Sequence, residues 1–359
     1  MNVGNVLKHL SFLEKKPLAA VKIAKGYFKG MILRKPVLRT VDFAVTNICN
    51  SKCRFCSAHL LYRTEQRKVL TPDQIISAFM QASKLGAMHM NFTGGEPLTK
   101  NIVELCYIIK NIKPKFHLLS MVTNSLSVTK EKLKMLRDSG LDTIQLSIES
   151  MSPQVHDYLR GVPGNWQKVM EAFVYARELG FVVCLSTVLT HSNFDEVEKI
   201  IDFAARYKNV FVLLNPISAS GAMVGETQNK LTQDDLVKYE NLLKIDLVRA
   251  DTVVNFSGKA GCPGGKERIH ITAFGDVITC PHVQISYGNV KDEPLKQIWE
   301  RMYNFPDLKK YSSVCKHVFD QTYYDKFLQP IEHLVEVPIS VFEHPTLKNE
   351  LNKKNFYVD

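Results

Sequence analysis

The sequence predicts an α/β fold with a parallel sheet from residue 41 onward. Apolar strand-like runs alternate with amphipathic helical patterns, and polar or glycine-rich stretches follow the strands. The strand-like runs span 41–47, 88–93, 116–123, 142–149, 182–190 and 209–215. The helical patterns span 72–86, 101–112, 129–139, 165–180, 194–207 and 232–248. Six successive βα units form either an open doubly wound sheet or a partly closed barrel, and periodicity does not decide between them.

Composition limits the compartment and the class of partner. Eight cysteines without a secretory signal or a paired framework indicate a reducing compartment and metal use, so we expect a cytoplasmic protein. No apolar run reaches the roughly 18 residues of a membrane span. The net charge of +10 is concentrated in the first forty residues and is not the distributed basicity of a nucleic-acid binder, so no nucleic-acid partner is expected.

Residues 1–36 form a basic amphipathic segment with predicted helices over 3–13 and 18–33, separated at Pro17. In the second helix one face carries apolar residues and another carries lysines, namely Val21, Ala24, Phe28 and Ile32 against Lys22, Lys25 and Lys29. Two interpretations stay open. The helix packs on the main domain with its lysines in water, or it makes peripheral contact with the inner membrane surface.

A loop with three thiols follows the first strand. Cys49, Cys53 and Cys56 have the spacing C-x3-C-x2-C, which indicates a metal site. His59 lies three residues beyond Cys56 and would complete a Cys3His zinc site. Three thiolates alone suit a [4Fe–4S] cluster with one iron open to a ligand. Both interpretations remain at this point.

Polar groups also follow the next three strands. Gly94 and Gly95 let a backbone pass close to a ligand, and the carboxylate of Glu96 can receive an ammonium group. No G-x-G-x-x-G opens the following helix, which argues against a dinucleotide fold. The predicted third strand ends near Asn124, and the fourth ends near Ser147 and Glu149. Arg160 follows, and its guanidinium is suited to bind a carboxylate.

The composition of the chain changes after residue 250. This change predicts one domain over 37–250 and a second over 251–359. Short alternating runs replace the helical patterns at 252–256, 267–273 and 276–279. Cys262 is followed by twelve residues, Gly275, four residues and Cys280. A glycine in a hairpin turn brings two such cysteines together, and Cys315 is a candidate third ligand.

The cysteine loop, the Gly-Gly-Glu turn and the run H-D-x-x-R-G at 156–161 together resemble the signature of the radical S-adenosylmethionine (radical SAM) superfamily. The resemblance implies a partial (βα)6 barrel and a [4Fe–4S] cluster whose open iron binds S-adenosylmethionine. It also implies a role in cofactor binding for the residues already named and for Phe55 near the adenine. Gly94, Gly95 and Glu96 would hold the amino group. Asn124, Ser147 and Glu149 would meet the ribose and carboxylate, and Arg160 would reach the methionyl carboxylate.

The C-terminal cysteines resemble the SPASM and twitch extensions of that superfamily, which implies a small α+β extension with an auxiliary [4Fe–4S] cluster on Cys262, Cys280 and Cys315. The pattern departs from both extensions. A full SPASM domain has seven cysteines and a twitch domain commonly four, whereas this region has three. The fourth iron is then held by His317, held by another side chain, or left open. The alternative is an extension without metal.

These resemblances imply reductive cleavage of S-adenosylmethionine to a 5′-deoxyadenosyl radical that abstracts a substrate hydrogen atom, with flavodoxin or ferredoxin as reductant. An auxiliary cluster favours an oxidoreductase or maturase that oxidises or joins groups on a peptide, a sugar or a lipid-like small molecule. One alternative is an epimerase or decarboxylase without an auxiliary redox role. Another is a non-catalytic iron–sulfur protein for assembly or electron transfer.

Overall fold

The computed structural model describes residues 16–59, 67–218, 220–224, 229–250 and 252–348. The helix expected over 3–13 and the tail from residue 349 lie outside the described residues. The described chain is built on one nine-stranded sheet.

Seven parallel strands of this sheet follow one another in chain order. They are β1 Thr40–Ala44, β2 His89–Thr93, β3 Leu118–Thr123, β4 Thr143–Ser147, β5 Val182–Leu189, β6 Val210–Pro216 and β7 Val248–Ala250. A doubly wound sheet reverses its strand order at a switch point, whereas this order runs without reversal. The order is that of a barrel opened along one side, which confirms the predicted partial barrel.

Helices cover the outer face of the sheet. They span Pro72–Leu85, Ile102–Asn111, Lys130–Ser139, Pro153–Arg160, Asn165–Glu178, Val197–Ala205 and Gln233–Leu242. Along β6, Val210, Val212 and Leu214 are buried beneath them, and the alternate residues Phe211 and Leu213 are half-buried on the inner face. The inner face of the sheet therefore lines a partly accessible lumen.

Two elements differ from the sequence prediction. The helix predicted over 232–248 ends at Leu242, and Val248–Ala250 pairs with β6 as a seventh parallel strand. The H-D-x-x-R-G run, for which no helix was predicted, lies largely within the helix Pro153–Arg160 and ends at Gly161, whose φ is +67°. Three residues are too few for a period-two pattern to separate strand from helix, which explains the missed strand.

The C-terminal extension continues the sheet of the barrel. Its strands are β8 Val253–Val254, β9 Ala260–Gly261, β10 Arg268–Ile271, β11 Val277–Ile278, β12 Ile285–Ser286 and β13 Ile339–Ser340, and its longest helix is Leu295–Asn304. β10 pairs in parallel with β1, and β11 pairs antiparallel with β10. The predicted boundary at residue 250 therefore divides a chain whose two parts share backbone hydrogen bonds.

A buried ion pair reinforces this junction. The Nε of Arg268 donates to Oδ2 of Asp42 at 2.5 Å, and Nδ2 of Asn91 donates to Oδ1 of Asp42 at 3.0 Å. Burial alone would raise the pKa of Asp42, but the Arg268 guanidinium and the other partners outweigh it and hold the pKa below its ordinary value. Strand β10 is thus anchored to β1 by a charge as well as by backbone pairing.

Replacing Arg268 with methionine is expected to destabilise the fold by about 3–5 kcal/mol, because it leaves the Asp42 carboxylate buried without its cation. Anaerobic urea denaturation measures the change. The matched control is Lys134→Met, which removes an exposed pair with Asp138 and is expected to cost less than about 0.5 kcal/mol. Equal effects of the two substitutions would contradict an anchoring role for the buried pair.

The N-terminal helix Pro17–Tyr27 continues as a π-helical turn over Phe28–Ile32. Its predicted apolar face points outward: Val21 is 51% exposed and Ile32 is 67% exposed. The face that packs inward carries small residues, Ala19, Gly26 and Gly30. Lys22 also turns inward, and its Nζ lies 2.7 Å from both Oγ of Ser83 and Nε2 of His117. No described helix has the length and hydropathy needed to cross a membrane.

Candidate functional site

The cysteine loop lies at the carboxyl end of β1. Its three thiols are free, with Cys49 exposed and Cys53 and Cys56 half-buried. Burial raises the pKa of Cys49 and raises that of Cys56 to about 12. Cys49 and Cys56 are therefore protonated thiols at neutral pH, and metal ligation would displace their protons to solvent.

Two glycines of the next strand end hold this loop on one side. A Cβ at Gly94 would lie 2.5 Å from the carbonyl oxygen of Thr46, and Gly94 has φ +143°. A Cβ at Gly95 would overlap the carbonyl oxygen of Ile48 and lie 2.9 Å from the amide nitrogen of Cys49. The amides of Gly95 and Glu96 donate to Thr46 and Ile48. These glycines are therefore required for close backbone packing.

Two further glycines hold the opposite side. A Cβ at Gly161 would lie 2.5 Å from the carbonyl oxygen of Lys52, and one at Gly221 would overlap the carbonyl oxygens of Cys56 and Ser57. The amide of Ala222 donates to the carbonyl of Cys56 at 3.0 Å. We call Gly94, Gly95, Gly161 and Gly221 the glycine clasp. Three separate segments, namely the turn after β2, the C-terminus of the helix Pro153–Arg160 and the segment after β6, thus fix the backbone of the cysteine loop.

The Glu96 carboxylate ties the ends of β2 and β3 together. Its Oε1 accepts from Oγ1 of Thr123 at 2.7 Å and from the amide of Leu98, and its Oε2 accepts from the amide of Asn124 at 2.6 Å. Burial raises its pKa. Nδ2 of Asn124 donates to Asn50 within the cysteine loop at 2.8 Å. Glu96 and Asn124 therefore both contribute to the position of the loop.

Glu149 and Arg160 form a buried ion pair at 3.2 Å beside the loop. Burial raises the pKa of Glu149 to about 7, while the Arg160 guanidinium and the amide of Val188 act in the opposite direction. The Nε of Arg160 is buried and has no hydrogen-bond partner in the described structure. A buried guanidinium with a spare donor fits a carboxylate ligand at this place.

The remaining predicted residues occupy the same edge of the sheet. Phe55 is 7% exposed and packs with Leu159, and the guanidinium of Arg160 lies 5.9 Å from its ring. Ser147 is on β4 in register with Ser186. In the described part of the chain no hydrogen bond joins Ser147 to the cysteine loop. The structure thus gathers these predicted residues at one edge, where Ser147 is the last residue of β4.

Two residues of this edge were not assigned from the sequence. Nδ1 of His156 accepts from the amide of Glu149 at 3.1 Å, so its Nε2–H donates to Oδ1 of Asn165 at 3.1 Å. Burial lowers the pKa of His156 to about 4, which keeps the ring neutral. Nδ2 of Asn165 then donates to the carbonyl of Asn124. The H-D-x-x-R-G run contained His156, but its neighbour Asn165 had no sequence signal.

The auxiliary cysteines converge in the C-terminal extension. A cavity of about 400 Å³, including its part open to solvent, is lined by Cys262, Cys280 and His317. Nδ1 of His317 lies 3.4 Å from the sulfur of Cys315 and 4.0 Å from that of Cys280. Burial raises the pKa of Cys280 to about 12 and lowers that of His317 well below its ordinary value. This donor set of soft thiols and a neutral imidazole fits an iron–sulfur cluster.

No three His, Cys, Asp or Glu side chains of the described residues lie close enough to hold a single metal ion. His59, the fourth ligand of the zinc alternative, is half-buried, and its amide donates to the carbonyl of Cys56. The described side chains therefore form no preformed site for a single zinc ion at either group of cysteines.

An open barrel with three thiols fixed at the carboxyl edge of its strands is typical of an enzyme that binds a metal centre at that edge. The family model of the radical SAM superfamily matches residues 43–204. The model of the SPASM iron–sulfur cluster-binding domain matches residues 262–317. The chain therefore carries a radical SAM domain followed by a SPASM-type extension. Its cofactors are [4Fe–4S] clusters and S-adenosylmethionine.

Known proteins share the sequence pattern and the fold. The PqqA peptide cyclase of Rhizobium meliloti (strain 1021) is 26% identical over 274 residues, covering 71% of this chain and 72% of that protein. Streptococcus suis SuiB bound to precursor peptide SuiA has a TM-score of 0.59 at 15% identity, covering 80% of this chain and 70% of that one. The anSMEcpe structure with bound AdoMet has a TM-score of 0.59 at 15% identity, covering 76% and 82%. The structural similarities establish the fold.

Proposed function

We propose that this enzyme is a maturase that cleaves S-adenosylmethionine reductively and abstracts a hydrogen atom from a peptide substrate. The observation that carries the proposal is the glycine clasp, which fixes the cysteine loop beside the Glu149–Arg160 pair. A cluster held by Cys49, Cys53 and Cys56 would supply the one electron needed for reductive cleavage of the sulfonium. The peptide substrates of the relatives named above support a peptide here.

The side chains of the site would have separate roles in binding the cluster and S-adenosylmethionine. Cys49, Cys53 and Cys56 would hold three irons through their thiolates. Arg160 would direct its unpaired Nε toward the methionyl carboxylate. Glu96 would keep its internal hydrogen bonds and act mainly by holding the Gly94–Gly95 backbone near the methionyl amino group.

The half-buried inner face of the barrel would receive the substrate. Gln145 and Asn215 are half-buried at lumen positions, and Ser147 lies at the same edge. Exclusion of bulk water and fixed orientation make a primary radical selective for one hydrogen. A second cluster on Cys262, Cys280 and Cys315 would accept the electron released when the product radical is oxidised, or would hold the substrate.

The Glu149–Arg160 pair predicts a pH-dependent affinity for S-adenosylmethionine. Below its pKa of about 7, Glu149 is protonated and leaves Arg160 free to pair with the methionyl carboxylate. Ionised Glu149 competes for the guanidinium at higher pH, so the Kd should rise, by about tenfold if binding shifts the pKa of Glu149 by one unit. Calorimetric titration of reconstituted protein across neutral pH measures this.

Glu149→Gln should bind with nearly constant affinity over the same pH range. The control Glu196→Gln, which changes a less buried carboxylate that accepts from Ser150, should retain the wild-type dependence. If the Kd depended on pH in the same way in wild type and Glu149→Gln, Glu149 would not be the origin of that pH dependence.

The wider setting follows from charge and thiol content. We infer a cytoplasmic enzyme with flavodoxin or ferredoxin as reductant, because the sequence has free thiols and no flavin or nicotinamide motif.

The exposed Val21, Phe28 and Ile32, next to exposed lysines, support peripheral contact with the inner membrane surface. Co-sedimentation with phosphatidylglycerol vesicles tests this, and Phe28→Glu should abolish it.

Iron counting and product analysis test the proposed function together. Anaerobically reconstituted protein should contain about eight irons per chain for two [4Fe–4S] clusters, whereas about four would leave the C-terminal cysteines empty. Addition of a reductant and a candidate precursor peptide should form 5′-deoxyadenosine in step with a modified peptide. Absence of 5′-deoxyadenosine under strong reductant would favour the non-catalytic iron–sulfur alternative.

A further inference from the structure

The extension has three cysteines where two auxiliary clusters would need many more ligands. Cys262 follows β9 and its amide donates to the carbonyl of Ser312 at 3.0 Å, which places it near Cys315. Cys280 lies two residues after the end of β11. A single [4Fe–4S] cluster takes four ligands, so this set leaves one iron without a thiolate.

The described residues that line the cavity offer one neutral nitrogen donor. Lys266 directs its ammonium to the carbonyl of Lys309 at 2.6 Å, and Lys316 bonds to the carbonyl of Asp307. Cationic ammonium groups are poor ligands for a metal. His317 is a cavity-lining imidazole, and both of its ring nitrogens lie within 3.7 Å of the Cys315 sulfur.

A neighbouring histidine fixes the orientation of this imidazole. The ring of His282 stacks on His317 with centroids 4.4 Å apart and an interplanar angle of 14°. The backbone amide of Val283 donates to the carbonyl of Cys280 at 3.1 Å, and the backbone of His282 acts to lower the pKa of the Cys280 thiol against the effect of burial. His282 therefore supports the site by stacking and by its backbone, whereas His317 points its nitrogen at the two sulfurs.

We propose that the extension holds one auxiliary [4Fe–4S] cluster, with Cys262, Cys280 and Cys315 as thiolate ligands and His317 as the fourth ligand. The inference rests on the auxiliary cluster proposed above and assigns its closed coordination. Ligation releases the three thiol protons and leaves the imidazole neutral. The cluster then carries one negative charge less than an all-cysteine cluster, which raises its reduction potential.

The test uses the full chain with Cys49, Cys53 and Cys56 all changed to alanine, so that only the auxiliary site can hold a cluster. After anaerobic reconstitution with iron and sulfide and reduction, pulsed EPR of protein carrying ¹⁵N-histidine should show strong coupling to one histidine nitrogen. The coupling should vanish in His317→Cys, which should still load about four irons and show a more negative midpoint potential. His282→Ala should retain the coupling.

Three outcomes would overturn the inference in distinguishable ways. A reduced cluster without histidine coupling, or coupling lost only in His282→Ala, would remove His317 from the ligand set while the cluster stands. Absence of iron from the triple-alanine protein, with circular dichroism unchanged, would remove the auxiliary cluster itself. Zinc in place of iron at the site would exclude both the auxiliary cluster and the assignment of His317 as its ligand.

Discussion

Replacing Cys56 with alanine is expected to reduce formation of 5′-deoxyadenosine to the level of reductant without protein. The substitution removes one of three thiolates that would hold the cluster, and the closely packed loop offers no substitute. Anaerobic assays with dithionite, together with iron and sulfide analysis, measure the loss. Iron content should fall by about four per chain if the auxiliary cluster is intact.

Cys106→Ala is the matched control for this result. Cys106 is 6% exposed in the helix Ile102–Asn111 and packs in the main core, away from both cysteine groups. The smaller side chain is expected to cost about 1 kcal/mol of stability and to leave iron content and turnover unchanged. Full turnover in Cys56→Ala would contradict the assigned role of the loop.

Replacing Gly95 with alanine is expected to lower the rate of 5′-deoxyadenosine formation by about a hundredfold. The added Cβ would overlap the carbonyl oxygen of Ile48 and crowd the amide of Cys49, so the thiols would shift. A displacement near 1 Å at a reacting centre has an effect of about this size. The rate, the iron content and the thermal midpoint are measured on the same preparations.

Gly180→Ala separates this effect from a loss of stability. Gly180 has φ +71°, and a Cβ there would meet no atom within 4 Å. The substitution should cost about 1 kcal/mol through backbone strain and leave the rate unchanged. If both variants lost activity in proportion to their thermal midpoints, close packing around the cysteine loop would not explain the result.

Much of the barrel could be predicted because each βα unit repeats the same local pattern. The run predicted over 116–123 is β3 Leu118–Thr123, and the helix predicted over 129–139 is Lys130–Ser139. The thiols, the Gly-Gly-Glu turn and Arg160 follow different strands. Their proximity was nevertheless predictable, because the carboxyl ends of parallel strands meet at one edge.

Contacts between distant parts of the chain could not be predicted in this way. Arg268 and Asp42 are 226 positions apart, and neither residue alone indicates the pairing of β10 with β1. The role of Asn165 depends on the tautomer of His156, which follows from hydrogen bonds that only the folded structure provides.

The orientation of the N-terminal helix shows a different limit. Periodicity located the helix and its apolar face but left open whether that face packs on the domain, and in the structure Val21 and Ile32 of this face are exposed. A Cβ at Gly26 would overlap Met88, and one at Gly30 would lie 2.6 Å from the Phe256 ring. Close approach through small residues stabilises this packing, and hydrophobicity patterns do not detect it because glycine carries no side chain.

The parallel pairing of β10 with β1 has a consequence for how such proteins diversify. Main-chain hydrogen bonds and the Asp42–Arg268 pair attach the extension to the barrel, independently of its metal ligands. Cysteines in the extension can therefore be gained or lost through evolution without detaching it. A change in the number of thiols is therefore expected to alter the metal content of the extension while its attachment to the barrel persists.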